Sequence, residues 1–184
     1  MNPTGTQAFV DDLALRHLDA AYNLGRWLLG NEHDAADAVH DAYVRAARAS
    51  DTYAGGNARA WWLAIVRNCC LARLAVRNKE KRNVAIDKNP EAAEHWMPRT
   101  DADDVEDRAD SVKRQQLITQ HLQNLPENFR EVLILREIEE LSYREIADVL
   151  QAPIGTVMSR LARARALLQK NLTENVTTQA PYGL

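Results

Sequence analysis

Apolar residues recur at three- and four-residue steps from near the start of the chain: Val10, Leu13, Ala14, Leu18, Ala21, Tyr22 and Leu28. Those steps keep side chains on one side of an α-helix, so the stretch predicts a first amphipathic helix. Gly30 and Asn31 end it, and Asn31 is suited to cap the next helix, with Asp34 at its third position. The inward stripe resumes at Ala35 and runs through Val39, Ala42, Tyr43 and Ala46. SDTYAGGN, residues 50–57, breaks the pattern with turn formers. A third helix starts near Ala58 and places Trp62, Ile65, Val66 and Cys69 on one buried face.

The pattern fades between 85 and 111 and returns after it. Val112 to Leu125 reads as a helix stopped by Pro126, and Phe129, Val132, Leu133 and Ile138 outline another. In LSYREIADVLQAPIGTVMSRLARARALL, Ser142 followed three residues later by Glu145 is a capping box, which satisfies the free N–H groups at a helix start. Ile146, Ala147 and Leu150 face inward from that short helix, Gln151-Ala152-Pro153 ends it, and Val157, Leu161 and Leu168 line the next. Strand signals are absent. The fold is expected to be all-α, with two small helical domains at 1–84 and 112–172. Residues 85–111 are expected to be a flexible linker and 173–184 a disordered tail.

Charge sharpens this division. The net charge is −3, yet from Arg59 to Arg82 seven basic residues stand against Glu80 alone. From Asp87 to Asp110 nine acids face three bases, and with Pro90 and Pro98 they suit an unstructured acidic tether. The chain is basic, acidic, then basic again.

A short helix, a tight turn and a second helix, with small Ala147 where they approach, form a helix-turn-helix. The second helix of that motif enters the major groove and offers its first residues to base edges. Thr156, Ser159, Arg160 and Arg163 share one outward arc there. An arginine fork can bond two guanine acceptors, hydroxyls can bond bases or phosphates, and remaining positive charge neutralises phosphate.

LPENFREVLILREIEELSYREIADVLQAPIGTVMSRLARARALL resembles the promoter −35 reading domain of bacterial sigma factors of the extracytoplasmic-function group. LLGNEHDAADAVHDAYVRAARASDTYAGGNARAWWLAIVRNCCLARLAVR resembles the same group's domain for core RNA polymerase and the −10 element. The resemblance implies −35 contacts from Thr156, Met158, Ser159, Arg160 and Arg163. It implies that the helix matching Asp34 to Arg48 grips polymerase, where Asp37, Asp41, Val44 and Arg48 form one ridge. It further implies that the loop and third helix trap an unwound −10 strand, with Tyr53 as an aromatic wall, Asn57 as a base reader, and Arg59, Trp62, Arg67 and Asn68 close by. Trp61 and Trp62 lie about 100° apart on a helix, so one faces the core and the other can face the strand; their spacing leaves open which. An anti-sigma protein is an implied partner, along with polymerase and promoter DNA. Gln151 departs from the glycine usual at this turn, which either costs about 1 kcal/mol or marks a different turn.

Other classes are disfavoured. No run approaches the roughly 20 apolar residues of a membrane span, and the N-terminus lacks the pattern of a secretion signal, so a cytoplasmic protein without membrane insertion is expected. Cys69 and Cys70 are adjacent rather than at metal-ligand spacing and are expected to pack as small apolar groups, and the five histidines are scattered; neither metal nor cofactor is expected. Nucleophile triads and phosphate-binding loops are missing, which argues against an enzyme. The competing reading is a free-standing helix-turn-helix regulator acting as a dimer on palindromic DNA, and it accounts for the C-terminal half alone.

Overall fold

In a computed structural model of the chain, residues 3–84 and 117–178 are described; the expected linker lies outside them. The described residues form helices and turns, arranged as two lobes.

The N-terminal lobe holds four α-helices. The first expected helix is in fact two, α1 (Pro3–Arg16) and α2 (Leu18–Leu29), hinged at His17, whose φ of −118° and ψ of 25° leave the helical range. Backbone bonds from His17 N–H to the Leu13 carbonyl and from Ala21 N–H to the His17 carbonyl bridge the hinge. The bend turns Ala20, Ala21 and Leu24 inward and leaves Leu18, which the periodicity had put on the buried stripe, 45% exposed. At the end of α2, Gly30 takes the left-handed conformation, φ 81°, and its N–H reaches the Arg26 carbonyl. Asn31 caps α3 (Glu32–Ala49) as expected, its side-chain oxygen accepting from the Asp34 N–H at 2.7 Å. The α2–α3 crossing is tight: a Cβ on Gly25 would sit 3.2 Å from the Ala35 Cβ. α4 (Ala58–Val84) runs through the lobe and buries Trp62, Leu63, Val66, Cys69 and Cys70, while Ile65 is only half-buried. Both thiols pack as apolar groups, and burial pushes that of Cys70 up to about 12.

The C-terminal lobe comprises α5 (residues 117–123), α6 (Glu127–Leu133), α7 (Tyr143–Leu150) and α8 (Ile154–Thr178). Between α6 and α7, Ile134–Ile138 form a π-turn, with Glu139 N–H bonded to the Ile134 carbonyl five residues back. One extra residue in that turn rotates everything after it. Ile138, expected to be inward, is therefore 40% exposed, and Glu139 is turned inside at 7%. The Ser142–Glu145 capping box forms with both of its bonds, at 2.7 and 3.3 Å. α8 continues to Thr178, beyond the end at 172 that the sequence led us to expect, because no helix breaker occurs before Pro181.

Gln151 resolves the question about the turn: it is left-handed, φ 50° and ψ 46°, while Ala152 N–H bonds to the Ala147 carbonyl. The turn is the one glycine usually makes, with a Cβ forced into it. Gln151→Gly is expected to raise unfolding free energy by up to about 1 kcal/mol in urea titration, with DNA contacts untouched.

The lobes are packed together. α2 lies against α6 and α4 against α7, and buried side chains of both lobes join into one continuous apolar cluster. Arg130 bridges the junction, donating to the carbonyls of Trp27, Gln123 and Leu125.

Candidate nucleic-acid interface

The start of α8 is held by its inner face, where Val157, Leu161 and Ala164 are fully buried. The outer face is accessible. Met158 is 53% exposed, Ser159 and Arg163 are exposed, and Thr156 is half-buried. The Ser159 hydroxyl donates to the Thr156 carbonyl at 3.0 Å. Arg160 differs from its neighbours. It lies three residues past Val157 and four before Ala164, at the edge of the buried stripe, and its guanidinium reaches Glu131 at 3.5 Å. Arg165 is engaged with Glu137 at 2.6 Å.

Around the loop, Tyr53 is half-buried, stacked on Phe9 with ring centres 5.1 Å apart and tilted against Trp61 at 5.4 Å; its hydroxyl donates to the Gly56 carbonyl. Asn57 is the N-cap of α4, its oxygen accepting from the Ala60 N–H at 2.9 Å. Trp62 is wholly buried and cannot face a strand; its position on the core stripe of α4, with Val66 and Cys69, decides this. Trp61, half-buried, is the tryptophan that reaches the surface. Asn68 is exposed, and Arg59 and Arg67 are half-buried.

On α3, Asp37, Asp41, Val44 and Arg48 lie along one ridge, with Asp37 and Arg48 exposed. Arg73 of α4 bonds Asp41 at 2.7 Å and Asp37 at 3.4 Å, and the hydrogen bond to Asp41 raises its pKa. The acidic end of the ridge thus faces a cation of its own lobe.

Two carboxylates not singled out in the sequence, Glu131 and Glu139, lie with the capping-box Glu145 where the lobes meet. Glu131, 2% exposed, accepts both Nε and Nη2 of Arg67, at 2.7 and 3.1 Å, besides Arg160. Glu139 accepts from Arg59 at 3.1 Å and from Asn23 at 3.5 Å, and Glu145 from the Asn57 amide at 2.6 Å. An acid at the head of the apolar run EVLIL was the available signal for Glu131; the π-turn hid Glu139.

Burial holds the Glu139 carboxyl above its usual range, against the opposing pull of Asn23 and Arg59. A carboxyl whose pKa is raised by folding favours the native state most below its unfolded value, about 4.3, and that benefit is lost as pH rises through the folded value. Glu139→Gln is therefore expected to unfold at a higher temperature than the parent at pH 7.5, the difference closing as pH falls toward about 4. A lower melting temperature at neutral pH would show that the ion pair outweighs the burial.

Comparison with known proteins bears on the whole chain. Residues 13–80 match the family model of sigma-70 region 2, and residues 115–168 that of sigma-70 region 4. The chain is 32% identical to the ECF RNA polymerase sigma factor SigE of Mycolicibacterium smegmatis, over 96% of this chain and 68% of that one. It is 31% identical to the ECF RNA polymerase sigma factor SigW of Bacillus subtilis, over 92% of each. Among solved structures it is similar to the sigma factor RpoE of Bartonella quintana, crystallised with the anti-sigma factor NepR. That match has a TM-score of 0.70 and 26% identity, covering 89% of this chain and 96% of that one.

Proposed function

This chain belongs to the ECF RNA polymerase sigma factors, and from that premise we propose how its residues divide the work of starting transcription. It is an alternative sigma factor, acting with core RNA polymerase on promoter DNA. The N-terminal lobe, 1–84, docks on polymerase through Asp37, Asp41, Val44 and Arg48. The C-terminal lobe, 112–172, lays the start of α8 in the −35 major groove, so that Thr156, Met158, Ser159, Arg160 and Arg163 meet base edges and phosphates. The surface of Tyr53, Asn57, Arg59, Trp61, Arg67 and Asn68 holds the unwound −10 strand, aromatic rings against bases and guanidinium groups against phosphates. The segment 85–111 tethers the lobes. The protein works in the cytoplasm without catalytic groups of its own: binding energy opens the duplex.

The observation that carries this reading is the exposed first turn of α8, fixed by its own buried stripe and preceded by the box-capped α7, in a chain with a separate aromatic and basic surface on α4. Among the described residues no helix is long and apolar enough to cross a membrane, which fits the proposed site of action. An anti-sigma partner is part of the proposal, and the complex of the similar Bartonella quintana protein supports it. A free-standing dimeric regulator leaves the region 2 match at 13–80 without a role.

The test is run-off transcription with purified core enzyme on a genomic promoter library. A transcript that appears only when both are present is the expected result, and its absence across the library refutes the proposal. A gel shift without polymerase, showing two protected half-sites about one helical turn apart, would restore the dimeric regulator.

A further inference from the structure

Among the described residues, two of the seven exposed large hydrophobic side chains stand one turn apart at the start of α8: Ile154, 45% exposed, and Met158, 53%. Four positions on a helix come round to within about 40°, so the pair forms one apolar strip. The fold has no use for it. Val157, Leu161 and Ala164 already fill the inner face, and a methionine left in water gains nothing from its apolar atoms. What surrounds the strip is polar and positive. Ser159 and Arg163 are exposed nearby, and from Ile154 to Thr173 the helix carries Arg160, Arg163, Arg165 and Lys170 but no acid. Such charge suits a polyanion, and the strip needs an apolar group on that same partner. In the major groove of DNA that group is the C5-methyl of thymine.

The exposed face of α8 has two unlike flanks. On an ideal helix Met158 lies about 100° from Ser159 and about 140° from Arg163, so the strip and the arginine fall on opposite sides of a middle line formed by Gly155, Ser159 and Ala162. That line is low. A Cβ on Gly155 would meet nothing within 4 Å, and the residue lies inside a helix, where glycine is less stable than alanine. Neither packing nor backbone conformation requires a glycine there. Its effect is to let the groove come near, with longer side chains reaching down on either side.

We propose that Ile154 and Met158 read thymine methyl groups in the −35 element, on the flank of α8 opposite Arg163. The preferred element then holds at least one A·T pair facing that flank. The idea rests on the placement of α8 in the −35 groove, and it adds the chemical group that the apolar side of the helix recognises. Burying one methyl group is worth about fourfold in affinity, and two together about fifteenfold.

The test uses holoenzyme, assembled from the full-length chain and core polymerase, on a promoter that yields a run-off transcript. Templates are built from synthetic strands in which every −35 thymine is kept or replaced by uracil, which removes the methyl group and leaves the hydrogen-bonding edge intact. Parent holoenzyme is expected to favour the thymine template by about fourfold to fifteenfold in competitive transcription. The double variant Ile154→Ala/Met158→Ala is expected to use the two templates equally, its loss confined to the thymine one. Leu15→Ala, which removes an exposed leucine of the other lobe, is the control and is expected to keep the parent preference. A −35 element without an A·T pair, equal use of both templates by the parent, or a uracil penalty that survives in the double variant would each overturn the methyl reading. The last of these would assign the preference to DNA shape. If no template yields a transcript with the parent chain, the sigma-factor reading has failed, and this inference with it.

Discussion

Trp62→Ala is expected to lower the unfolding free energy by about 3–5 kcal/mol, the range for truncating a large buried aromatic, and to leave the N-terminal lobe largely unfolded at physiological temperature. Trp62 is fully buried in the continuous core, between the faces of α4 that meet the other helices. Its indole N–H has no hydrogen-bond partner among the described residues, so the ring contributes through packing. Trp62→Phe is accordingly expected to retain much of the stability, since it keeps most of the volume and removes an unpaired donor. Trp61→Ala should behave in the opposite way. Half-buried beside Tyr53, it is expected to cost about 1 kcal/mol in unfolding and to lower the rate of promoter opening, read by permanganate footprinting of the −10 region. If Trp61→Ala unfolds the lobe while Trp62→Ala only slows opening, the placement of the two rings is wrong.

Arg163→Ala is expected to weaken −35 discrimination by about 1–3 kcal/mol, or about fivefold to 150-fold in relative promoter use. Arg163 is exposed on the outer face of α8, so its loss should leave the urea midpoint unmoved. Competitive transcription from a matched pair of templates, with and without a −35 mutation, reads the effect directly. Arg160→Ala is expected to differ in kind. Because Arg160 bonds Glu131 at the edge of the core, its removal should lower stability as well as promoter selectivity. Unchanged discrimination by Arg163→Ala would remove that residue from base reading and leave phosphate neutralisation as its role. The two arginines are separated by less than one helical turn, and only their distance from the buried stripe distinguishes them.

Much of this could be read along the chain because the relevant physics is local. The Asn31 cap, the Ser142–Glu145 box and the break after Leu150 depend on residues within a few positions of one another, and each forms as expected. The all-helical class follows from three- and four-residue apolar steps, which require nothing beyond a helix and something to bury against. The departures arise where a short-range rule is outvoted. His17 bends an apparently continuous helix so that both halves can face one core. The π-turn at Ile134–Ile138 inserts one residue into the period, and so exchanges Ile138 for Glu139 at the buried face.

The chain's order of residues was sufficient for the helices, their caps, the helix-turn-helix and the family, because periodicity, capping and turn chemistry act between near neighbours. It could not say which of two adjacent tryptophans would be inside, or that Arg59 and Arg67 would each find an acid more than sixty positions away. Those outcomes depend on which surfaces meet once helices have formed. Burial and ion pairing between distant segments are properties of the packed molecule, since the cost of burying a charge and the gain from pairing it arise only when water has left the junction.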